Sequence, residues 1–188
     1  MDIRPESPTY GKSLGAELGD ALRVEVENEA AMEALGAHLA QAVAGDGLTV
    51  ALQGTLGAGK TTLTRGFLRA RGHQGKVKSP TFTLVEPYDF PEGAVYHFDL
   101  YRLTDPEELE LLGVRDYFVP GAICLVEWPE RGEGVLPVPD LRFDIRYRDE
   151  GRTVDMAAGS VRGGVVLAAL IQLLLSDNTT PILEPTLD

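Results

Sequence analysis

Cysteine is nearly absent from this chain, with one residue, Cys124, among 188. A lone thiol excludes any disulfide framework within the chain, and its place in the apolar run Ala122-Ile123-Cys124-Leu125-Val126 reads as buried and inert. Three scattered histidines, His38, His73 and His97, make no zinc spacing with it. Long apolar runs are missing too. The most apolar stretch, residues 165–175, falls short of the roughly 18–20 residues that a bilayer crossing needs. Residues 1–20 mix acids, prolines and glycines and do not read as a secretory signal. These absences point to the cytoplasm. Positive charge is in deficit: 17 Lys and Arg stand against 29 Asp and Glu, a formal net charge of −12. Such a field repels polyanions, so a role on nucleic acid calls for a partner, and a membrane surface is not expected.

What is present is the balance of a globular protein, 44% hydrophobic and 24% charged, at a length suited to one domain. Residues 1–21 read as a flexible leader, 22–175 as the domain and 176–188 as a tail, with no internal repeat. Leu22–Val26 alternates like a strand, and Asn28 opens an amphipathic helix through Met32, Leu35 and Leu39. Leu48–Leu52 is a second strand, and Lys60–Ala70 a second helix. Further strands are expected at 82–88, 94–98, 122–126, 141–147 and 153–156, with a closing helix over 160–175. Strands alternating with helices indicate an α/β domain with a mixed, mainly parallel central sheet flanked by helices.

Between the second strand and second helix stands Gly54-Thr55-Leu56-Gly57-Ala58-Gly59-Lys60-Thr61, the pattern G-x-x-x-x-G-K-T. Glycines let the backbone curl so that successive N–H groups face phosphate oxygens beside a positive helix N-terminus. Lys60 is suited to the β- and γ-phosphates, Thr61 to Mg²⁺, and Thr62 to the α-phosphate. A Mg-nucleotide site also needs carboxylates for the metal and the attacking water. Asp99 and Glu127 each follow an apolar run and so emerge at strand carboxyl ends, where ligands bind in open α/β sheets. Ser79-Pro80-Thr81-Phe82 is placed where P-loop switch segments put a hydroxyl near the γ-phosphate. His97, between Tyr96 and Phe98, reads as a packed or hydrogen-bonded histidine rather than a base. Between Gly54 and Val85 there are six basic residues and no acid, most of them accounted for by a solvated helix face.

The ordered set of that loop with Thr62, Ser79-Pro80-Thr81-Phe82, His97-Phe98-Asp99-Leu100-Tyr101-Arg102 and Glu127-Trp128-Pro129-Glu130-Arg131 resembles the TsaE (YjeE) family over roughly residues 22–175. The resemblance implies a Mg-dependent P-loop ATPase acting with the proteins TsaB and TsaD in forming threonylcarbamoyladenosine at position 37 of tRNA, tRNA being reached through the complex. It gives Thr81 the role of switch threonine, Asp99 that of Walker-B-like acid, Glu127 that of second acid, and sets Trp128 beside the nucleotide. A small-molecule kinase would carry an arginine-rich lid module, which is not apparent. A GTPase would show N/T-K-x-D and D-x-x-G patterns, and neither is present. A nucleotide-binding scaffold with negligible turnover shares the same motifs.

Overall fold

A computed structural model describes residues 21–43, 45, 47–177 and the backbone of 182–183. The expected leader, apart from Ala21, lies outside the described residues. Strand β1 (Ala21–Val26) alternates half-buried and buried positions, and helix α1 (Glu29–Ala42) starts where the Asn28 side chain accepts a hydrogen bond from the Ala31 amide at 3.0 Å. Then come β2 (Leu48–Gln53), α2 (Lys60–Ala70), β3 (Val85–Phe90) and β4 (Gly93–Asp99). After these follow α3 (Glu107–Leu111), β5 (Ile123–Glu127), β6 (Leu141–Arg148), β7 (Gly151–Ala158), α4 (Val161–Asp177) and β8 (Ile182–Leu183). The Ser160 hydroxyl caps α4 by accepting from the Gly163 amide at 3.0 Å.

The strands form one sheet in the order β3-β4-β5-β2-β6-β7-β1-β8. Its four central strands β4, β5, β2 and β6 run parallel, while the flanking pairs are antiparallel. The sheet is therefore mixed, with its parallel part in the middle, as expected. β8 falls in the segment read as a tail, and its backbone pairs with β1 at Arg23 and Val24. The strand expected from residue 82 starts instead at Val85. Residues 81–84 are a turn, closed by the Leu84 amide bonding to the Pro80 carbonyl at 2.7 Å, and Leu84 at φ 63° cannot continue an extended chain.

Helices α1, α2 and α4 pack on one face, over Leu48, Val50 and Leu52 of β2, Ile123 and Leu125 of β5 and Leu141, Phe143 and Ile145 of β6. The α1–α2 contact is made backbone to backbone. A Cβ on Gly36 would lie 2.0 Å from the Leu63 carbonyl oxygen, and one on Gly66 2.0 Å from that of Glu33. The other face carries a smaller cluster, Phe98, Leu100, Leu103, Leu109, Val114, Cys124 and Val126, over the β4–β5 side. Cys124 is buried there as expected, and burial pushes its thiol up to about 12. Among the described residues no helix covers that second face on the β6–β7–β1 side, which carries ion pairs instead: Arg23 with Asp155 between β1 and β7 at 2.5 Å, Arg146 with Asp144 within β6, and Arg148 with Glu25 across β7. No helix among the described residues is long and apolar enough to cross a membrane.

Candidate functional site

The chain leaves β2 at Gln53 and enters α2 at Lys60, so residues 54–59 form a tight loop at the carboxyl end of a central parallel strand. Gly59, in the cap position of α2, has φ 120°, a conformation that L side chains rarely adopt. At Gly54, φ 142°, a Cβ would also meet the Ile145 carbonyl oxygen at 2.5 Å. The β6–β7 hairpin braces the outside of the loop. Arg152 Nε donates to the Ala58 carbonyl at 3.0 Å, Tyr147 Oη donates to that of Leu56 at 3.4 Å, and the guanidinium stacks 3.8 Å over the Tyr147 ring. Peptide units whose carbonyls are held outward turn their N–H groups to the inside, which is the arrangement of an anion cradle.

Lys60 is only 4% exposed. Its Nζ donates to the carbonyls of Gly54 at 2.6 Å and Thr55 at 3.0 Å and stands 3.9 Å over the Trp128 ring. Burial lowers its pKa, against the opposing pull of Glu127, Asp99 and Glu130. Trp128 holds this place from a left-handed backbone conformation, φ 58°, uncommon outside glycine and found at functional sites. Its amide bonds to the Leu52 carbonyl at 3.2 Å, and Tyr101 lies tilted against its ring at 5.0 Å.

Asp99 and Glu127 are the last residues of β4 and β5 and stand opposite each other in the parallel register. Both are buried, at 4% and 2% exposure, and both carboxylates are met by donors, as burial of a charge requires. Thr61 Oγ1 donates to Glu127 Oε1 at 2.8 Å. Asp99 Oδ2 accepts from Thr81 Oγ1 at 2.9 Å and from Ser79 Oγ, and Oδ1 accepts from the Tyr101 amide at 3.0 Å. The two hydroxyls of Ser79 and Thr81 are 2.5 Å apart. Glu127 thus reaches the α2 hydroxyl, and Asp99 reaches the segment after α2.

One cleft of about 300 Å³ brings together Lys60, Thr61, Thr81, Asp99, Glu127 and Trp128. Leu56, Gly57, Ala58, Gly59 and Thr62 line it as well, whereas Gly54 and Thr55 take part through their carbonyls on Lys60. Of the basic residues after Gly54, Arg65 and Arg69 pair with Glu29 and Glu33 of α1, so they form a solvated helix–helix seam and not an anion site. Sequence reasoning ranks His97 below the acids, yet its Nε2 lies 2.8 Å from Glu127 Oε1. Arg152 and Tyr147 carry no motif, and only the sheet order brings them to the loop. A larger cavity of about 570 Å³ lies under residues 129–139, lined by the opposite side of β2, and contains none of the loop.

A strand–glycine loop–helix unit at the centre of this sheet, with two acids at the ends of neighbouring strands, defines a P-loop α/β protein. The family model described as "Threonylcarbamoyl adenosine biosynthesis protein TsaE" matches residues 26–154. The chain belongs to the TsaE family, whose members take part in tRNA threonylcarbamoyladenosine biosynthesis. It is 54% identical over 122 residues to the tRNA threonylcarbamoyladenosine biosynthesis protein TsaE of Haemophilus influenzae, covering 65% of this chain and 77% of that one. With the protein of the same name from Bacillus subtilis it shares 42% over 123 residues, at the same coverages. The crystal structure of Bacillus subtilis YdiB matches with a TM-score of 0.68 at 32% identity, covering 81% of this chain and 95% of that one.

Proposed function

We propose that this chain is a Mg-dependent ATPase of the cytoplasm that supports N6-threonylcarbamoylation of tRNA adenosine 37 together with TsaB and TsaD, meeting tRNA only through that complex. The observation that carries the reading is the convergence of Lys60, Thr61, Asp99 and Glu127 on one cleft beside an outward-braced glycine loop. The loop amides and the α2 N-terminus receive the phosphates, and Lys60 exchanges the Gly54 and Thr55 carbonyls for phosphate oxygens. Thr61, Glu127 and Asp99 are hard oxygen donors, and no group of three His, Cys, Asp or Glu among the described residues could cage a metal alone. That donor set suits Mg²⁺, which keeps water and takes phosphate oxygens. When bound, Mg²⁺ supplies charge neutralisation at the transferred phosphoryl group.

The chain's own groups divide the remaining work. Glu127 holds the Thr61 hydroxyl in place and, buried at the strand end, is set to orient the attacking water and take its proton. Asp99 collects the Ser79 and Thr81 hydroxyls, so a γ-phosphate that draws Thr81 away loosens that segment from β4. The family resemblance makes Asp99 the Walker-B-like acid and Glu127 the second acid, which leaves Asp99 with the metal and Glu127 with the water. The net charge of −12 supports leaving tRNA to the partners. The test is hydrolysis of ATP by the full chain with and without TsaB and TsaD, alongside calorimetric ADP binding. Lys60→Ala should weaken nucleotide binding on the order of 10- to 100-fold, the worth of lost charge-assisted hydrogen bonds. Unchanged affinity together with unchanged turnover would refute the reading.

A further inference from the structure

The His97 side chain is fully buried, at 0% exposure, on the β4 face turned toward α2, two positions before Asp99. β4 and β5 are registered with Asp99 opposite Glu127 and His97 opposite Leu125, which sets the imidazole diagonally below the Glu127 carboxylate. His97 Nε2 lies 2.8 Å from Glu127 Oε1, and Thr61 Oγ1 lies 2.8 Å from the same oxygen. Among the described residues Oε2 takes no hydrogen bond, while Glu127 lines the cleft. His97 Nδ1 is buried and has no hydrogen-bond partner among the described residues. A fully buried polar atom left without a partner is costly, and an apolar residue would avoid it. Whatever the imidazole does here, it does through its other nitrogen.

We infer that His97 is a positioning residue for Glu127. Its Nε2–H and the Thr61 hydroxyl pin Oε1 from two sides, and the unpinned Oε2 is left as the oxygen that acts in the cleft. Because an ionised carboxylate only accepts, the 2.8 Å contact assigns the proton between the two side chains to Nε2. Groups that orient a catalytic carboxylate without touching substrate act through geometry, and losing them typically costs about 10- to 100-fold in activity. The inference rests on the ATPase reading for its catalytic consequence, while the tautomer and the pinned carboxylate stand apart from it.

The experiment uses the full chain with His97→Leu, His97→Gln and His97→Asn. Gln places an amide nitrogen near the position of Nε2, whereas the Asn amide reaches only as far as Nδ1. His97→Leu and His97→Asn should lower kcat by about tenfold or more with KM for ATP within about twofold, and His97→Gln should recover most of the rate. A residue that serves packing alone would instead lose rate in step with melting temperature and show no preference for Gln over Asn. That result, or wild-type kcat in His97→Leu, overturns the inference. Long-range proton–nitrogen NMR of ¹⁵N-histidine-labelled wild type gives a second readout that needs neither turnover nor a variant that folds. It should show the Nε2–H tautomer at His97, with its signals moving on Glu127→Gln. An Nδ1–H tautomer, or no response to Glu127→Gln, also overturns it. A chain that hydrolyses no ATP, alone or with partners, yet shows this tautomer and response would refute the ATPase reading and leave the positioning intact.

Discussion

Gly66→Ala is expected to destabilise this protein even though alanine is the better helix former. In an open helix interior the exchange gains about 1 kcal/mol. Here the new Cβ would lie 2.0 Å from the Glu33 carbonyl oxygen and 2.7 Å from the Glu33 Cα, all backbone atoms of α1, while real Cβ contacts stay beyond 3.0 Å. The helices have to separate by about 1 Å, and overpacking of this sort costs about 1–3 kcal/mol, with a rigid backbone neighbour at the upper end. The net expectation is a loss of about 2 kcal/mol. For a domain of this size that lowers the melting temperature by about 4–8 °C and the urea midpoint by about 1 M. Gly164 in α4 is the internal control, since a Cβ there meets nothing within 4 Å. Gly164→Ala should therefore stabilise by about 0.5–1 kcal/mol. Both variants are read by thermal and urea unfolding followed by circular dichroism. A Gly66→Ala protein that melts at or above wild type would refute the backbone-to-backbone contact between α1 and α2.

Two further outcomes follow from the cleft. Burial lowers the folded-state pKa of Lys60, so the cost of burying its charge applies below that value and is relieved as pH rises toward the unfolded value. Phosphate needs the charged form, so calorimetric ADP affinity should fall, with proton uptake on binding, as pH rises through a window starting below the ordinary lysine value of about 10.4; a flat profile up to that value would contradict it. Trp128 is the sole tryptophan and lies 3.9 Å under Lys60 Nζ. Its emission should change on adding ADP or ATP, and a flat titration under conditions where calorimetry shows binding would place the nucleotide elsewhere.

The elements that carried strong local signals stand where the sequence puts them. Asn28 caps α1, and β2, the loop and α2 follow one another as the glycine pattern requires. Asp99 and Glu127 end their strands because each terminates an apolar run at the point where the chain leaves the sheet. α3 escaped because five residues are too few to show a helical period. The turn at 81–84 escaped because Phe82-Thr83-Leu84-Val85 has strand composition, and only the left-handed Leu84 breaks it. Partnerships were hidden for a different reason. That Glu127, and not Asp99, meets Thr61 follows from β5 lying next to β2 with β4 beyond it, an order that local pattern does not encode. The same holds for Arg152, which reaches the loop only because β6 is β2's other neighbour.

The half of the sheet that no described helix covers bears on how copies of this molecule meet in a crowded solution. Its surface is a chequerboard of Arg23, Glu25, Asp144, Arg146, Arg148 and Asp155, each engaged with an opposite charge on its own strand, on a neighbouring strand or, for Arg148 and Glu25, across β7. Exposed pairs of this kind add little to folding, between about 0 and 1 kcal/mol each. Their effect is on traffic: among the described residues this face offers no apolar stripe for a second sheet to stack on. Any encounter on it has to match charge for charge and weakens as salt is added.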